Sequence, residues 1–421
     1  MAGMRGPRVI ETDCCVVGGG PAGMMAGLLF ARAGVNTVVL EKHADFLRDF
    51  RGDTVHPSTL EIMHELGLLD EFLKRPHQKL TRLVGEFGPE RIELASFRGL
   101  AVRCPYIAFM PQWEFLDFLA DHARSLPSFS LRMRTEATGL VDSGRIVGVQ
   151  AIGPDGEIEI RARLTIAADG RHSVLRARSG LKLVDLGAPI DVLWFKVPKG
   201  TTAFDDTLLH VKAGRIIITI DRGDYWQCAY VIQKGGADEV RAAGLAAFRD
   251  GIAGALPFLA DGIGAIGSWD EVKLLTVRVD RLKEWHRPGF LCIGDAAHAM
   301  SPIGGVGINL AVQDAVAAAN LLAGPLADGS FRDRMLSALK KRRLFPTRAT
   351  QFMQIQVQNR ILAPIIGDAT RQPRPPLALR AVSKVPFLKR RVAALVGLGM
   401  RPEHVRSPIA SAPLPNPGDT R

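Results

Sequence analysis

Thr12–Lys42, TDCCVVGGGPAGMMAGLLFARAGVNTVVLEK, is the stretch whose reading decides the fold class. Cys14–Val17 is a short apolar run that reads as a buried strand, and the glycines follow at once. Gly18, Gly20 and Gly23 make G-x-G-x-x-G, with Ala22 inside the same turn. Pro21 falls where the first turn of a helix tolerates a missing N–H. Met24–Ala33 then reads as a helix closed by Gly34, and Val38–Leu40 as a second strand. Glu41 lies eighteen residues past Gly23. Strand, turn, helix, strand and acid in this order predict a dinucleotide site. Gly18 permits the tight turn, Gly20 lets backbone approach a pyrophosphate, and Gly23 lets helix pack on strand. The pyrophosphate sits on the helix N-terminus, and Glu41 accepts hydrogen bonds from an adenosine ribose.

The spacing alone is weak, as a second copy at Gly262, Gly264 and Gly267 illustrates. Pro257–Asp261 before it makes a poor strand, and SWDEVKLLTVRV after it reads as strand rather than helix, so that copy is read as loop.

Length and composition set the frame. At 421 residues with 47% hydrophobic content the chain has room for two domains with packed cores. A short basic lead runs straight into the first strand, so no secretory signal is expected, and no apolar run is counted as long enough to span a bilayer. The five cysteines are odd in number and form no C-x-x-C, which predicts neither a disulfide frame nor a metal site and suits a reducing, cytoplasmic setting. Eight of the chain's +11 charges lie between Thr370 and Pro402, a segment without Asp or Glu. The rest is close to balanced, which argues against a nucleic-acid partner.

Further along, periodicity predicts an α/β protein: a Rossmann-like nucleotide-binding fold interrupted by a β-rich substrate domain, with a C-terminal helical region. The nucleotide fold is assigned to 1–78, 111–182 and 281–330, the β-rich domain to 79–110 and 183–280, and the helical region with its basic tail to 331–421. Within these, Gln112–Arg124 and Ala237–Ala255 read as amphipathic helices, and Phe331–Ile366 as helical.

Three separated motifs carry a family resemblance: VVGGGPAG with Glu41, AADGRHSVLR at Ala167–Arg176, and GDAAHAMSPIGGVGINLAVQDA at Gly294–Ala315. In this order and at these spacings the chain resembles the single-component flavoprotein aromatic hydroxylases, the group of p-hydroxybenzoate hydroxylase and the ubiquinone-biosynthesis hydroxylases. The resemblance implies FAD as cofactor and NADH or NADPH as co-substrate. Asp295 then matches the aspartate that hydrogen-bonds the ribityl chain. Pro302–Asn309 matches the loop along the isoalloxazine ring, with Gly305 and Gly307 admitting the flavin and the N–H groups of Ile308 and Asn309 holding the O2 side of the ring. A helix N-terminus there favours anionic reduced flavin. Asp169-Gly170-Arg171 matches a motif linked to both FAD and NAD(P)H, Arg51 an arginine near the ring or pyrophosphate, and Gln112 a glutamine near the ribityl–pyrophosphate region.

Each residue also has a plainer reading: Asp295 as a helix cap, Asp169-Gly170 as an ordinary turn, Arg51 as a surface charge. His298 and His56 are read as buried or capping histidines rather than acid–base groups. Tyr106, Tyr225 and Tyr230 are candidate substrate contacts, or simply aromatics in strands; alternation puts Tyr225 and Tyr230 on opposite faces. In the tail, Val385, Leu388, Val392 and Leu395 recur at helical spacing among cations. That pattern suits packing on the body or peripheral membrane contact, and Pro386 shortens the helix.

The chemistry the resemblance implies is flavin-driven. NAD(P)H reduces FAD, O2 adds at flavin C4a, and the hydroperoxide delivers oxygen to an electron-rich aromatic or prenylated ring. No acid–base residue and no metal is assigned. Two alternatives share the cofactor: an isoprenoid (geranylgeranyl-type) reductase and a non-catalytic FAD-binding protein. Flavin halogenases also rank low, because no W-x-W-x-I-P string occurs, and the intact flavin loop places the non-catalytic reading last.

Overall fold

Two sheets of opposite character organise the molecule. A computed structural model describes residues 8–47, 54–200, 208–368, 370 and 372–410. In the first sheet His286–Arg287, Phe290–Cys292, Gly156–Ala167, Arg8–Val17, Thr37–Leu40 and Phe129–Arg132 lie side by side in that order. All neighbours but the first pair run parallel. Ile146–Gly153 and Glu136–Asp142 extend it antiparallel from Gly156–Ala167. Cys14–Val17, Thr37–Leu40 and Phe290–Cys292 are buried throughout, as a parallel sheet covered on both faces requires.

The helix Pro21–Arg32 makes the crossover between Arg8–Val17 and Thr37–Leu40 and packs against the long helix Gly307–Ala327. Small residues allow this approach: a Cβ at Gly294 would lie 3.1 Å from Ala22 Cβ and 3.2 Å from Ala311 Cβ. Ile303–Ala327 is long and apolar enough to cross a bilayer, which corrects the count made from sequence. It is a core helix, with 78% of its most apolar stretch buried inside the protein.

The second sheet has seven strands, in the order Lys273–Leu275, Ile190–Pro198, Tyr225–Gln233, Arg215–Asp221, Leu209–Lys212, Arg82–Phe87 and Glu90–Ser96. Only Leu209–Lys212 beside Arg82–Phe87 is parallel. One face packs under the helix Leu245–Ala255, in a cluster drawn wholly from residues 193–272. The other face packs against the rest of the molecule, including Ile303 and Leu362.

Three expectations change. Ala237–Ala255 is two helices, Ala237–Ala242 and Leu245–Ala255, because Gly244 at φ +92° breaks the run. The second glycine copy spans a short helix, Ala260–Ile263, and a turn, and its Gly262 serves packing: a Cβ there would sit 2.2 Å from Pro198 O. Tyr106 precedes Ile107–Phe109, which pairs with Thr54–Val55 and Gln78–Leu80 in a separate small sheet and not with the seven strands.

The terminal segment packs back on the body. Pro386 divides it into Leu377–Lys384 and Pro386–Gly397. Ala393 is fully buried, and Gly397 sits within 3.4 Å of Phe97 and Pro57 for any added Cβ. Arg380 pairs with Glu90 at 2.7 Å and Lys389 with Glu93 at 3.5 Å, so two tail cations meet the acidic outer hairpin strand.

Candidate active site

The glycine turn is fixed by collisions of its own backbone. Gly18 stands at φ +106°, and a Cβ there would lie 2.5 Å from Ala168 O. At Gly23 a Cβ would come within 1.8 Å of Gly18 O, so the helix can start only where a hydrogen replaces a methyl. Gly20 is different: its Cβ position meets nothing within 4 Å. The first intrahelical bond is Met24 N–H to Gly20 O at 2.9 Å, which leaves the N–H groups of Ala22 and Gly23 without helical partners. No acid stands in the first turn and no side chain caps it. Glu41 organises the turn from below: Gly19 N–H donates to one carboxylate oxygen at 2.9 Å and His43 N–H to the other at 3.0 Å.

Asp169 and Asp295 follow the C-terminal ends of neighbouring parallel strands, whose last pair is Ala167 beside Cys292. Ligands of open α/β sheets bind at this end. Asp169 Oδ2 accepts from Val174 N–H at 3.0 Å, while Oδ1 is buried without a partner. Burial pushes its carboxyl above the usual range, against the opposing pull of Ser173 and backbone N–H groups. Arg171 donates to Asp295 Oδ2 at 3.1 Å, joining the two motifs. Arg176 lies beneath, donating to Arg171 O at 2.5 Å and Ala296 O at 3.2 Å. A cleft of about 340 Å³ opens beside this pair, lined by Arg171, His172, Arg176 and Arg278 among others.

The loop after Asp295 leads to a second helix start. Gly304 and Gly305 stand at φ +78° and +64°. A Cβ at Gly305 would lie 2.4 Å from Thr54 Oγ1, which instead donates to Gly305 O at 2.8 Å. Leu310 N–H to Val306 O, at 3.0 Å, is the first intrahelical bond, so the N–H groups of Gly307, Ile308 and Asn309 precede the helical ladder. This first turn also lacks an acid or a capping side chain. Pro302 precedes the 3₁₀ turn Ile303–Gly305 as its N-cap.

Asn309 does more than its place in the motif implied. Its amide donates to Thr54 O at 3.2 Å and Gly305 O at 3.3 Å. Its oxygen accepts from His56 N–H at 2.9 Å and Thr59 Oγ1 at 2.7 Å. Thr54 and Thr59 are neighbours of this loop that sequence reading did not assign to it: Thr54 stood in a polar turn and Thr59 read only as a helix cap, each about 250 residues away. Arg51 itself lies outside the described residues. Gln112 is the first residue of Gln112–Arg124, a helix packed on Pro21–Arg32.

The histidines are buried, as read. His56 Nδ1 donates to Val396 O at 2.8 Å, and burial lowers its pKa to about 4. His298 Nε2 lies 2.6 Å from Asp314, which Arg343 holds from the other side at 2.9 Å. Arg343 continues to Glu403 at 3.2 Å, and both Asp314 and Arg343 are fully buried. Burial works to raise Asp314, but His298 and Arg343 reverse this and hold its carboxyl below the usual range. The basic run Lys340, Lys341, Arg342 and Arg343 thus hides one core cation, Arg343.

The tyrosines are not brought together. Tyr106 is buried in the nucleotide fold's core and stacks at 6.5 Å on His77. Tyr230 packs at 6.1 Å from Phe248 in the insert's own cluster, turned from the rest of the molecule. Tyr225 lies on the opposite face with Lys196 Nζ 5.4 Å from its ring centroid.

Two uncapped helix starts, one open at Gly20 and the other at Gly307, with two strand-end carboxylates between them, fit a dinucleotide with an anionic centre and a polyol chain. Fold and site together define a nucleotide-binding flavoprotein architecture. The FAD binding domain family matches residues 11–353, and the chain belongs to that family. It is 32% identical to 6-methylpretetramide 4-monooxygenase of Streptomyces rimosus over 95% of each chain. It is 25% identical to para-nitrophenol 4-monooxygenase of Pseudomonas sp. (strain WBC-3), across 75% of this chain and 78% of that one. Among solved structures, OxyS anhydrotetracycline hydroxylase from Streptomyces rimosus aligns with a TM-score of 0.72 at 22% identity, covering 92% of this chain and 76% of that chain. The protein is an FAD-dependent aromatic monooxygenase. Among the described residues no cluster of His, Cys, Asp or Glu could hold a metal ion, and the cysteines are buried and unpaired.

Proposed function

We propose that this protein uses NADH or NADPH and O2 to hydroxylate an aromatic compound seated between the Pro302–Asn309 loop and the inward face of the seven-stranded sheet. One observation carries this reading: Ile303 of the loop packs against the apolar cluster of Val192, Ile216, Ala229 and Val231 from that face. When bound, FAD takes electrons from the reduced nicotinamide and, with O2, supplies the oxygen atom that enters the ring, the other leaving as water.

The chain's own part is to bind, orient and keep water out. Gly18, Gly20, Ala22 and Gly23 bring the pyrophosphate onto a helix N-terminus, and Glu41, while holding the turn, accepts from the adenosine ribose. Asp295 and Gln112 serve the ribityl region, with Asp169 behind them. Gly305, Gly307 and the N–H groups of Ile308 and Asn309 attract negative charge on the reduced ring. The cationic cleft of Arg171, His172, Arg176 and Arg278 suits the phosphates of the nicotinamide donor. The apolar sheet face limits water at the reacting centre. Tyr225 remains the tyrosine with access to the inward side; Tyr106 and Tyr230 are committed to cores. We also read the protein as cytoplasmic, because its tail is engaged with Glu90, Glu93 and Phe97 instead of a membrane surface.

Oxygen uptake by the FAD-loaded protein with NADH and with NADPH tests this, against phenols, quinone precursors and 6-methylpretetramide, the compound named for the 32% identical relative. Compound-dependent uptake, little peroxide and a product heavier by one oxygen are expected. Flavin reduction with oxygen-independent saturation of an isoprenoid would replace the reading with a reductase. Absence of reduction by either nucleotide would reduce it to flavin binding.

A further inference from the structure

Three glutamines project from one side of the helix Leu336–Val357 and the π-helical turn Gln358–Leu362 that continues it. Gln351, Gln354 and Gln358 are each buried. Two of them bond the main chain leading into the flavin loop, and the third bonds a side-chain hydroxyl there. Gln351 donates to Asp280 O at 2.7 Å and Ala299 O at 3.1 Å, with its oxygen held by Arg281 at 3.0 Å. Gln354 grips Ser301 from both sides, accepting from its N–H at 3.1 Å and donating to its carbonyl at 2.9 Å. The same amide donates to Ile303 O at 2.9 Å. Gln358 donates to Ser301 Oγ at 2.7 Å, and its own oxygen is buried without a partner.

An amide buried this deeply is costly unless bonded, so three in a row on five residues of loop specify a backbone path. Apolar side chains would fill the same volume without dictating where carbonyls point. The π-turn matters for what comes next. One extra residue per turn changes the helix's facing; Val357 just before the turn and Ile361 and Leu362 within it pack in the cluster with Ala229 and Val231 of the sheet. One element therefore touches the flavin loop through amides and the proposed substrate space through aliphatic side chains.

Gln354 ties the Ser301–Ile303 backbone directly, and Gln358 ties it through the Ser301 hydroxyl, which accepts from Ile303 N–H at 3.3 Å. We infer that Gln354 and Gln358 are positioning residues for the hydroxylation: they join this segment to the helix that also borders the proposed substrate space, so substrate seating and loop placement are set together. This rests on the function proposed above. Loss of either tie frees the loop to settle independently of the substrate, and electrons then leak to peroxide.

The test compares full-length, FAD-loaded Gln354→Leu and Gln358→Met with Thr347→Val. Thr347 lies buried on the same helix and bonds only Arg343 O, at 2.9 Å, so its variant reports a purely structural loss. The readouts are the absorbance spectrum and midpoint potential of bound FAD, and the peroxide formed per nicotinamide oxidised with and without an aromatic compound. In the glutamine variants the spectrum and potential move, and with the aromatic compound present peroxide rises roughly fivefold, the factor that one lost buried amide bond carries. Thr347→Val at matched loss of thermal stability leaves all three at wild-type values. Glutamine variants indistinguishable from Thr347→Val overturn the inference. A wild-type protein that does not oxidise nicotinamide overturns the proposed function instead, and the spectrum and potential still decide the role of the glutamines in placing the loop.

Discussion

The molecule presents two uncapped helix starts to the proposed cofactor site, and they are built in different ways. At Gly18–Gly23 the geometry is enforced by neighbours in sequence: Gly23 meets Gly18 O, and Gly18 meets the strand end at Ala168. At Ser301–Asn309 the geometry is enforced from a distance. Thr54 and Thr59 reach it across about 250 residues, and Gln354 and Gln358 across more than 50. The first is a steric device that admits no side chain at Gly18 or Gly23. The second is chiefly a hydrogen-bonded device that needs every partner present. A steric device fails abruptly, and a bonded one fails by degrees.

Substituting Gly23→Ala should break the first device outright. The methyl has no room against a backbone oxygen at 1.8 Å, and the cost should exceed about 3 kcal/mol, the upper end for overpacking. Soluble yield, thermal unfolding and retained FAD check this; a stable, yellow Gly23→Ala protein would refute the steric account. Arg343→Met should come next, at about 3–5 kcal/mol, because it removes the buried cation shared by Asp314 and Glu403. Denaturant unfolding measures it, and Asp314→Asn combined with it should recover part of the loss.

For the bonded device, Asn309→Ala removes four hydrogen bonds and should cost about 2–4 kcal/mol with weakened FAD binding in a protein that still folds. An unchanged unfolding midpoint would show that the loop does not depend on its staple. His56 supplies a pH test beside it. Burial depresses its pKa from the ordinary value near 6.5 to about 4. The folded state therefore resists protonation that the unfolded chain accepts, so this contribution is complete above pH 6.5 and is lost as pH falls towards 4. The total is on the order of 3 kcal/mol. His56→Asn should flatten that part of the stability–pH curve; an unaltered curve would mean that other groups carry it. The smallest structural effect belongs to Gly20→Ala, where the added methyl meets nothing. Stability should stay within about 0.5 kcal/mol while FAD affinity falls, read by quenching of flavin fluorescence. Unchanged affinity would place the pyrophosphate elsewhere.

What was legible follows the same division. The strand, glycine turn and helix could be read because their constraints act within a few residues, and periodicity separated parallel core strands from the insert. Burial of His298 could be read from its apolar setting. The break at Gly244 escaped because an amphipathic pattern continues across it with the same facing. Tyr230 could be placed on one face of its strand, but which face met the nucleotide fold depended on how the insert docks. Tyr106 looked like a residue of the insert because its strand is near the hairpin in sequence, although it pairs with Thr54–Val55 and Gln78–Leu80.

Sequence by itself determined the features that sterics and short-range spacing control: a glycine turn with no room for a Cβ at Gly18 or Gly23, a helix after it, and an acid at the end of the next strand. Tertiary structure alone decided that this acid also holds Gly19, that a basic stretch buries Arg343 against Asp314 and Glu403, and that two glutamines on a late helix hold Ser301 and Ile303. The physical reason is that a hydrogen bond or ion pair leaves no periodic trace in the chain. Its partner is chosen by where the fold closes, and only the closed fold records the choice.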